Sequence, residues 1–222
     1  DNVGQSLEEP NGNTANPQNL FDLASDRGIS AYDQPINSTT SAVWEVPIGR
    51  GRTHGSNLPS AIDAVIGGWT INGINTMTSG QPINFRYTPS SVTANLPTFL
   101  GGTALRPNIT GDPVTQSDRP NPILNYFQVN NVQIPSPTQP FGNAGRNIAR
   151  SNAYFQVDMG IQKQFALPIN ETTKLELRAE FFNLLNRTNF LAANSDRSSA
   201  GFGTITSTFP ARQIQLALKL YF

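Results

Sequence analysis

The sequence has no cysteine and one histidine, His54. Without cysteine there is no disulfide framework, no thiolate nucleophile and no thiolate metal site. One imidazole supplies no multi-histidine metal centre and leaves a Ser-His-Asp triad a single possible base. Charge is also scarce: 15 Lys+Arg balance 15 Asp+Glu, and 14% of the 222 residues are charged, against about 25% in a typical globular chain. Zero net charge without a basic cluster removes the electrostatic footing for nucleic-acid binding, so no nucleic-acid partner is expected. Long apolar runs are missing too, and no stretch reaches the ~18 consecutive apolar residues of a membrane-spanning helix. Asp1 in place of Met at the start is what a processed or truncated piece would show.

What is present is neutral polarity. Asn, Thr, Ser and Gln abound alongside 18 Gly and 17 Pro, a composition suited to turns, long connections and half-polar strands. Period-two alternation runs through it. In 211–222, Ile214, Leu216, Leu218, Leu220 and Phe222 fall on one side and Gln213, Gln215, Ala217, Lys219 and Tyr221 on the other. In 173–185, Leu175, Leu177, Ala179, Phe181 and Leu185 oppose Lys174, Glu176, Arg178 and Glu180. Residues 153–165 set Phe155, Val157, Met159, Ile161 and Phe165 against Tyr154, Gln156, Asp158, Gln162 and Gln164. Two further stretches alternate less strictly: 37–48 with Ala42, Trp44, Val46 and Ile48, and 69–85 with Trp69, Ile71, Met77, Ile83 and Phe85.

Each stretch is long enough for the ~9 to 11 residues with which a tilted strand crosses a bilayer, where common globular strands have ~5 to 6. Alternation alone fits an antiparallel sandwich equally well. The connections separate the two. A tight turn, 167–172, with Pro168 and Asn170, joins two long strands, whereas 186–210 and 87–152 are long and polar. Short connections at one end and long ones at the other are the outer-membrane barrel pattern, with short turns periplasmic and long loops outside. On that basis 173–185 ascends, 211–222 descends, 37–48 descends and 69–85 ascends. Residues 49–68 form the periplasmic link, carrying Arg50, Arg52 and His54, and then Leu58, Ala61, Ile62, Val65 and Ile66 in the spacing of a short helix packed under the rim. Trp44, Trp69, Phe165 and Phe222 would contribute to an interfacial girdle on the lipid side.

Five segments carry a family resemblance: VPIGRGR at 46–52, GGWTINGINTMTSGQP at 67–82, FGNAGRN at 141–147, LRAEFFNLLNRTNF at 177–190 and RQIQLALKLYF at 212–222. In this order they resemble the C-terminal part of TonB-dependent outer-membrane receptors, in particular the Oar-like, acidobacterial type. The resemblance implies an all-β fold: an antiparallel up-and-down meander forming the C-terminal portion of a roughly 22-stranded transmembrane β-barrel with long extracellular loops. Residues 1–36 would then be an extracellular loop remnant and 37–222 a partial barrel. The localisation implied is the outer membrane of a Gram-negative bacterium, and the activity implied is TonB-dependent, energy-coupled uptake of a nutrient such as a siderophore, vitamin or oligosaccharide. The partners implied are outer-membrane lipid, the barrel assembly machinery, the missing N-terminal barrel and plug of the same chain, and TonB through that plug. No cofactor is expected.

Residue roles follow the same expectation. Ile214, Leu216, Leu218, Leu220, Tyr221 and Phe222 supply the C-terminal signal that the family presents to the assembly machinery, where β-augmentation would read main chain and alternate side chains. Lys174, Glu176, Arg178 and Glu180 face the lumen, although a cross-strand charge ladder fixing register is the plainer account of them. Tyr126, Phe127 and Phe141 suit either a sugar or chelate surface or ordinary loop packing. Catalysis is not expected. Glu176 and Glu180 would stand ~13 to 14 Å apart along a strand, too far for the ~5 to 9.5 Å of glycosidase carboxylates, and Asp63 with His54 has no nucleophile at a motif spacing. A passive porin, adhesin or structural barrel shares every strand feature. The sequons at Asn37, Asn108, Asn170 and Asn186 would fit a secreted glycoprotein, a compartment that the missing cysteines argue against.

Overall fold

The computed structural model describes residues 17–19, 21–88, 105–114, 123–168 and 172–222. The expected loop remnant over 1–16 and the tip of the 167–172 turn at 169–171, with the Asn170 sequon, lie outside the described residues. In chain order the elements are β1 (Asn37–Glu45), α1 (Ser60–Ile66), β2 (Trp69–Thr78), β3 (Pro82–Ile83), β4 (Asn108–Ile109), β5 (Val132–Gln133), β6 (Ala149–Arg150), β7 (Tyr154–Ala166), β8 (Lys174–Phe182) and β9 (Gln213–Tyr221). They fall into two compact units. One contains 36–78, 154–189 and 210–222, and the other 1–35, 79–153 and 190–209.

The first unit is an antiparallel sheet in the order β1-β2-β7-β8-β9, an up-and-down meander with one long excursion between β2 and β7. It is open: among the described residues, β1 and β9 each pair on one side only. Strand lengths of 9, 10, 13, 9 and 9 residues match the ~9 to 11 needed to cross tilted. Antiparallel register puts the ends of β2 and β8 and the starts of β1, β7 and β9 at one end of the sheet. The three stretches of the second unit leave and return at those strand ends.

Strands stop where the hydrogen-bond ladder can no longer be fed. The Val46 amide donates to Trp69 O at 2.9 Å, and Pro47, having no N–H, ends β1 short of the expected 48. β2 stops at Thr78 and does not continue to Phe85 as the alternation predicts. A Cβ on Gly80 would lie 1.9 Å from Ser151 O, so only glycine fits that crossing, and Pro82 cannot donate. Residues 82–85 keep the parity of β2 but belong to the second unit. β8 ends at Phe182, before the expected 185, because Asn183 turns left-handed with φ 52° and Asn186 with φ 50°, a conformation that asparagine tolerates better than most residues. Asn183 fixes the turn: its Nδ2 donates to Arg187 O at 2.9 Å, its Oδ1 accepts from Arg187 N at 3.0 Å, and its own amide donates to Asp158 Oδ1 at 2.8 Å. Asn189 extends the ladder with its side chain, accepting from Phe155 N at 3.1 Å and donating to Phe155 O at 2.9 Å.

The second unit has its own core, built from Ile83, Phe85, Tyr126, Phe127, Val132, Ala149, Ala193, Phe202 and Ile205. Phe85 is 0% exposed and meets Phe127 edge-on at 4.7 Å between ring centres, with Phe202 at 6.1 Å. Two short antiparallel pairs, β3 with β6 and β4 with β5, brace it. Long irregular chain needs its polar backbone satisfied by other means, and side chains do much of this. Buried Arg106 pairs with Asp26 and donates to Ala144 O at 2.8 Å and Ser25 O at 2.9 Å.

Asn183→Ala removes the side-chain bonds to Arg187 N, Arg187 O and Pro210 O and leaves alanine at positive φ, so it should destabilise the fold by about 1–3 kcal/mol. The check is the urea midpoint followed by heat-modifiable gel mobility, with Asn183→Gly recovering the backbone part of the loss.

Candidate functional site

Register decides which side chains share a face. Thr70, Gln162, Arg178 and Ala217 align across four strands, and one residue away Trp69, Lys163, Leu177 and Leu218 align on the opposite face. The first face is largely polar and carries Asn72, Asp158, Gln164, Glu176, Glu180, Gln215 and Lys219, with Val43, Ile74 and Phe182 among them. The second carries Trp44, Ile71, Ile161, Ala179 and Leu216 in one row, with Phe155, Val157, Met159, Phe181 and Ile214 beyond it. On β9 its aliphatic side chains are bare: Ile214, Leu216, Leu218 and Leu220 are all exposed, Leu216 at 74%. A row like that is a liability in water and a natural surface against hydrocarbon.

Of the four residues proposed for the polar face, three form one electrostatic unit. Arg178 lies between Glu176 at 3.2 Å and Glu180 at 3.5 Å. Glu176, 6% exposed, also accepts from Gln164 Nε2 at 2.9 Å and Tyr221 OH at 3.1 Å. Its oxygens are therefore engaged by β7, β8 and β9 together. The chain-wise ion pairs run along β8, so the ladder expected across strands is along one strand, with its cross-strand ties made by Gln164 and Tyr221. Lys174 is exposed at the start of β8, opposite Ala166 and Tyr221.

At the C-terminus, Ile214, Leu216, Leu218 and Leu220 share the apolar face, Tyr221 has its hydroxyl on Glu176, and Phe222 is 96% exposed. Trp44, Trp69, Phe165 and Phe222 gather at one end of the sheet, the end of the short connections. Phe155, Phe181 and Met77 occupy the other end of the apolar face. Ile83 and Phe85, expected to continue this face, are instead buried in the second unit.

One charged residue breaks the apolar face and escaped the sequence pattern: Lys163, between Ile161 and Phe165 on β7. Its parity was the available signal. The ammonium donates to Asp63 O at 3.1 Å and to Gly67 O, the carbonyls at the end of α1, with the Trp69 ring centre at 5.7 Å and Phe165 at 5.0 Å. Carbonyls closing a helix are good partners for a cation. The helix expected in the link is present, but it contacts the sheet through these carbonyls and through Trp69 Nε1, which donates to Val65 O at 2.8 Å. Ile62, Val65 and Ile66 are exposed, not packed under the rim. Close glycine contacts permit this: a Cβ on Gly67 would lie 2.3 Å from Asp63 Oδ1.

In the second unit, Tyr126 and Phe127 are core residues, with Tyr126 donating to Arg150 O at 2.8 Å, so packing accounts for them and a sugar surface does not. Phe141 is half-buried. Burial pushes the Tyr87 phenol upward, and its hydroxyl donates to Pro140 O at 2.5 Å. Among the described residues no group of three or more His, Asp or Glu is arranged to hold a metal ion. His54 serves through its backbone, accepting from Gly49 N and donating to Pro47 O, both at 2.9 Å.

Arg178→Met strands the Glu176 carboxylate without its guanidinium, so it should lower the urea midpoint more than Glu180→Gln does. Adding Glu176→Gln to Arg178→Met should return part of the loss; additive effects in this double-mutant cycle would show that the ladder is not coupled.

Compared with known families, residues 1–215 match the model described as outer membrane beta barrel domain. No curated protein and no solved structure matches the chain.

Proposed function

The chain belongs to the outer membrane beta barrel domain family and lies in the outer membrane of a Gram-negative bacterium, and from that premise we propose that it is the C-terminal part of a TonB-dependent receptor of the Oar-like type. In this reading it takes part in energy-coupled uptake of a siderophore, vitamin or oligosaccharide and performs no catalysis. The observation that supports it is the sheet of long antiparallel strands with one apolar face, its β9 aliphatics exposed, and one largely polar face, together with long connections that pack into a unit of their own. A barrel of roughly 22 strands leaves a lumen that a plug can fill, and the polar face with Glu176, Arg178 and Glu180 would line it. Further strands would pair with the open edges of β1 and β9, since lipid-exposed sheet edges do not persist in a bilayer. The end bearing the short connections would be periplasmic, and the long connections would be extracellular.

Coupled uptake has a direct test. Deleting this protein and deleting TonB should abolish accumulation of the same nutrient to the same extent. Uptake that needs the protein but survives without TonB would instead identify a passive pore, and no uptake defect at all would favour an adhesin or structural barrel.

The C-terminal strand is proposed as the signal read by the assembly machinery. Phe222→Asp in the full-length protein should sharply reduce the heat-modifiable, membrane-inserted fraction while leaving synthesis unchanged; normal insertion would rule that role out.

A further inference from the structure

Beside Lys163, at the end of the sheet with the short connections, a polar cavity of about 350 Å³ is lined by Arg50, Arg52, Asp63, Gly67, Lys163 and Phe165 among others. Its cations outnumber the acids within it. Arg52 pairs at 2.5 Å with Glu45. Lys163 is held by carbonyl oxygens and not by a carboxylate. The Arg50 guanidinium donates through Nε to Leu58 O at 2.9 Å, and among the described residues no carboxylate pairs with it. Asp63, the one acid in the lining, already accepts the Arg50 backbone N–H at 2.7 Å. The site is built, since the Gly49 and Gly67 backbones close on Asp63 with no room for a Cβ, and Lys163 is 5% exposed.

Its surroundings say what kind of anion would come. Lys163, Trp69 and Phe165 belong to the apolar face of the sheet, and α1 on that side presents exposed Ile62, Val65 and Ile66. A basic cavity lined in part by residues of an apolar surface has the polarity of a phospholipid: a charged phosphate joined to acyl chains. Indole and phenyl rings at the same level suit the headgroup boundary. We propose that this cavity holds the phosphate of an anionic phospholipid, of phosphatidylglycerol type, in the periplasmic leaflet. The Arg-Gly-Arg turn and α1 then form one lipid-anchored foot, with Lys163 locking the foot to β7. The leaflet assignment rests on the orientation proposed above.

The test uses the full-length protein, delipidated in detergent and titrated with dioleoyl-phosphatidylglycerol or dioleoyl-phosphatidylcholine, bound lipid being read by native mass spectrometry. One phosphatidylglycerol should bind in preference to phosphatidylcholine. Removing one cation near a lipid headgroup should weaken that preference about fivefold, so Arg50→Gln should show this loss and Arg50→Lys should keep the preference. Should Arg50→Gln not insert, Arg52→Gln carries the same test, its side chain being 39% exposed and paired only at the surface. Equal phosphatidylglycerol binding by wild type and the Gln variant overturns the proposal. So does displacement by millimolar inorganic phosphate, which would mark a free-anion site. Orientation is read separately: in the full-length protein with any other cysteine replaced by serine, Ser56→Cys should resist a membrane-impermeant maleimide in intact cells. Labelling there would overturn the orientation and the leaflet assignment together, whatever the lipid preference.

Discussion

In hydrocarbon every backbone N–H and C=O must find its partner within protein, because water is not there to take it and each orphan costs several kcal/mol. Most features of the sheet follow from that. Its strands pair in register, and three of them stop at a residue that cannot continue the ladder or that turns it: β1 at Pro47, β2 at the Gly80 to Pro82 crossing, and β8 at left-handed Asn183. Asparagine side chains then replace lost rungs, as Asn189 does for Phe155. The same demand makes the open edges of β1 and β9 incompatible with lipid on their own.

Low charge is a second consequence. A side chain on the apolar face meets lipid, where an unpaired ion is expensive, so charges concentrate on the other face and neutralise one another there, as Glu176, Arg178 and Glu180 do. Lys163 is the exception that shows the rule. Its charge is tolerated because the end of α1 delivers two carbonyls to it and two rings flank it, so the link helix is needed by the strand as much as the strand positions the helix.

Alternation made the five long strands legible in the sequence, along with the residues on each face, because the strand period is two and needs no knowledge of partners. It failed where parity survived a break. Ile83 and Phe85 continue the rhythm of Met77, yet the chain crosses at Gly80 and buries them with Phe127 and Phe202. The second unit was illegible for a different reason: its core joins residues from 83 to 205 through contacts that have no period. Tyr126 and Phe127 could be placed on a binding surface or in a core with equal ease until their neighbours were known. Lys163 was readable in principle, since its parity set it among aromatics, but its partners are backbone carbonyls whose position depends on the turn after α1.

The connections satisfy the backbone by another route. Gln18 reaches Gly142 O, Asn147 reaches Ile29 O, and Arg150 holds Asp33 O and Gly80 O, each bond spanning at least 70 residues of sequence. The buried Arg106–Asp26 pair adds a junction whose separation would strand a charge away from water, a penalty of several kcal/mol. Segments that begin at different strand ends are therefore ordered by one another. Releasing any one of them leaves buried donors and acceptors unpaired in the rest, so independent motion of a single connection is opposed. Any structural change in this unit must rearrange its shared network of side-chain clamps, not one loop.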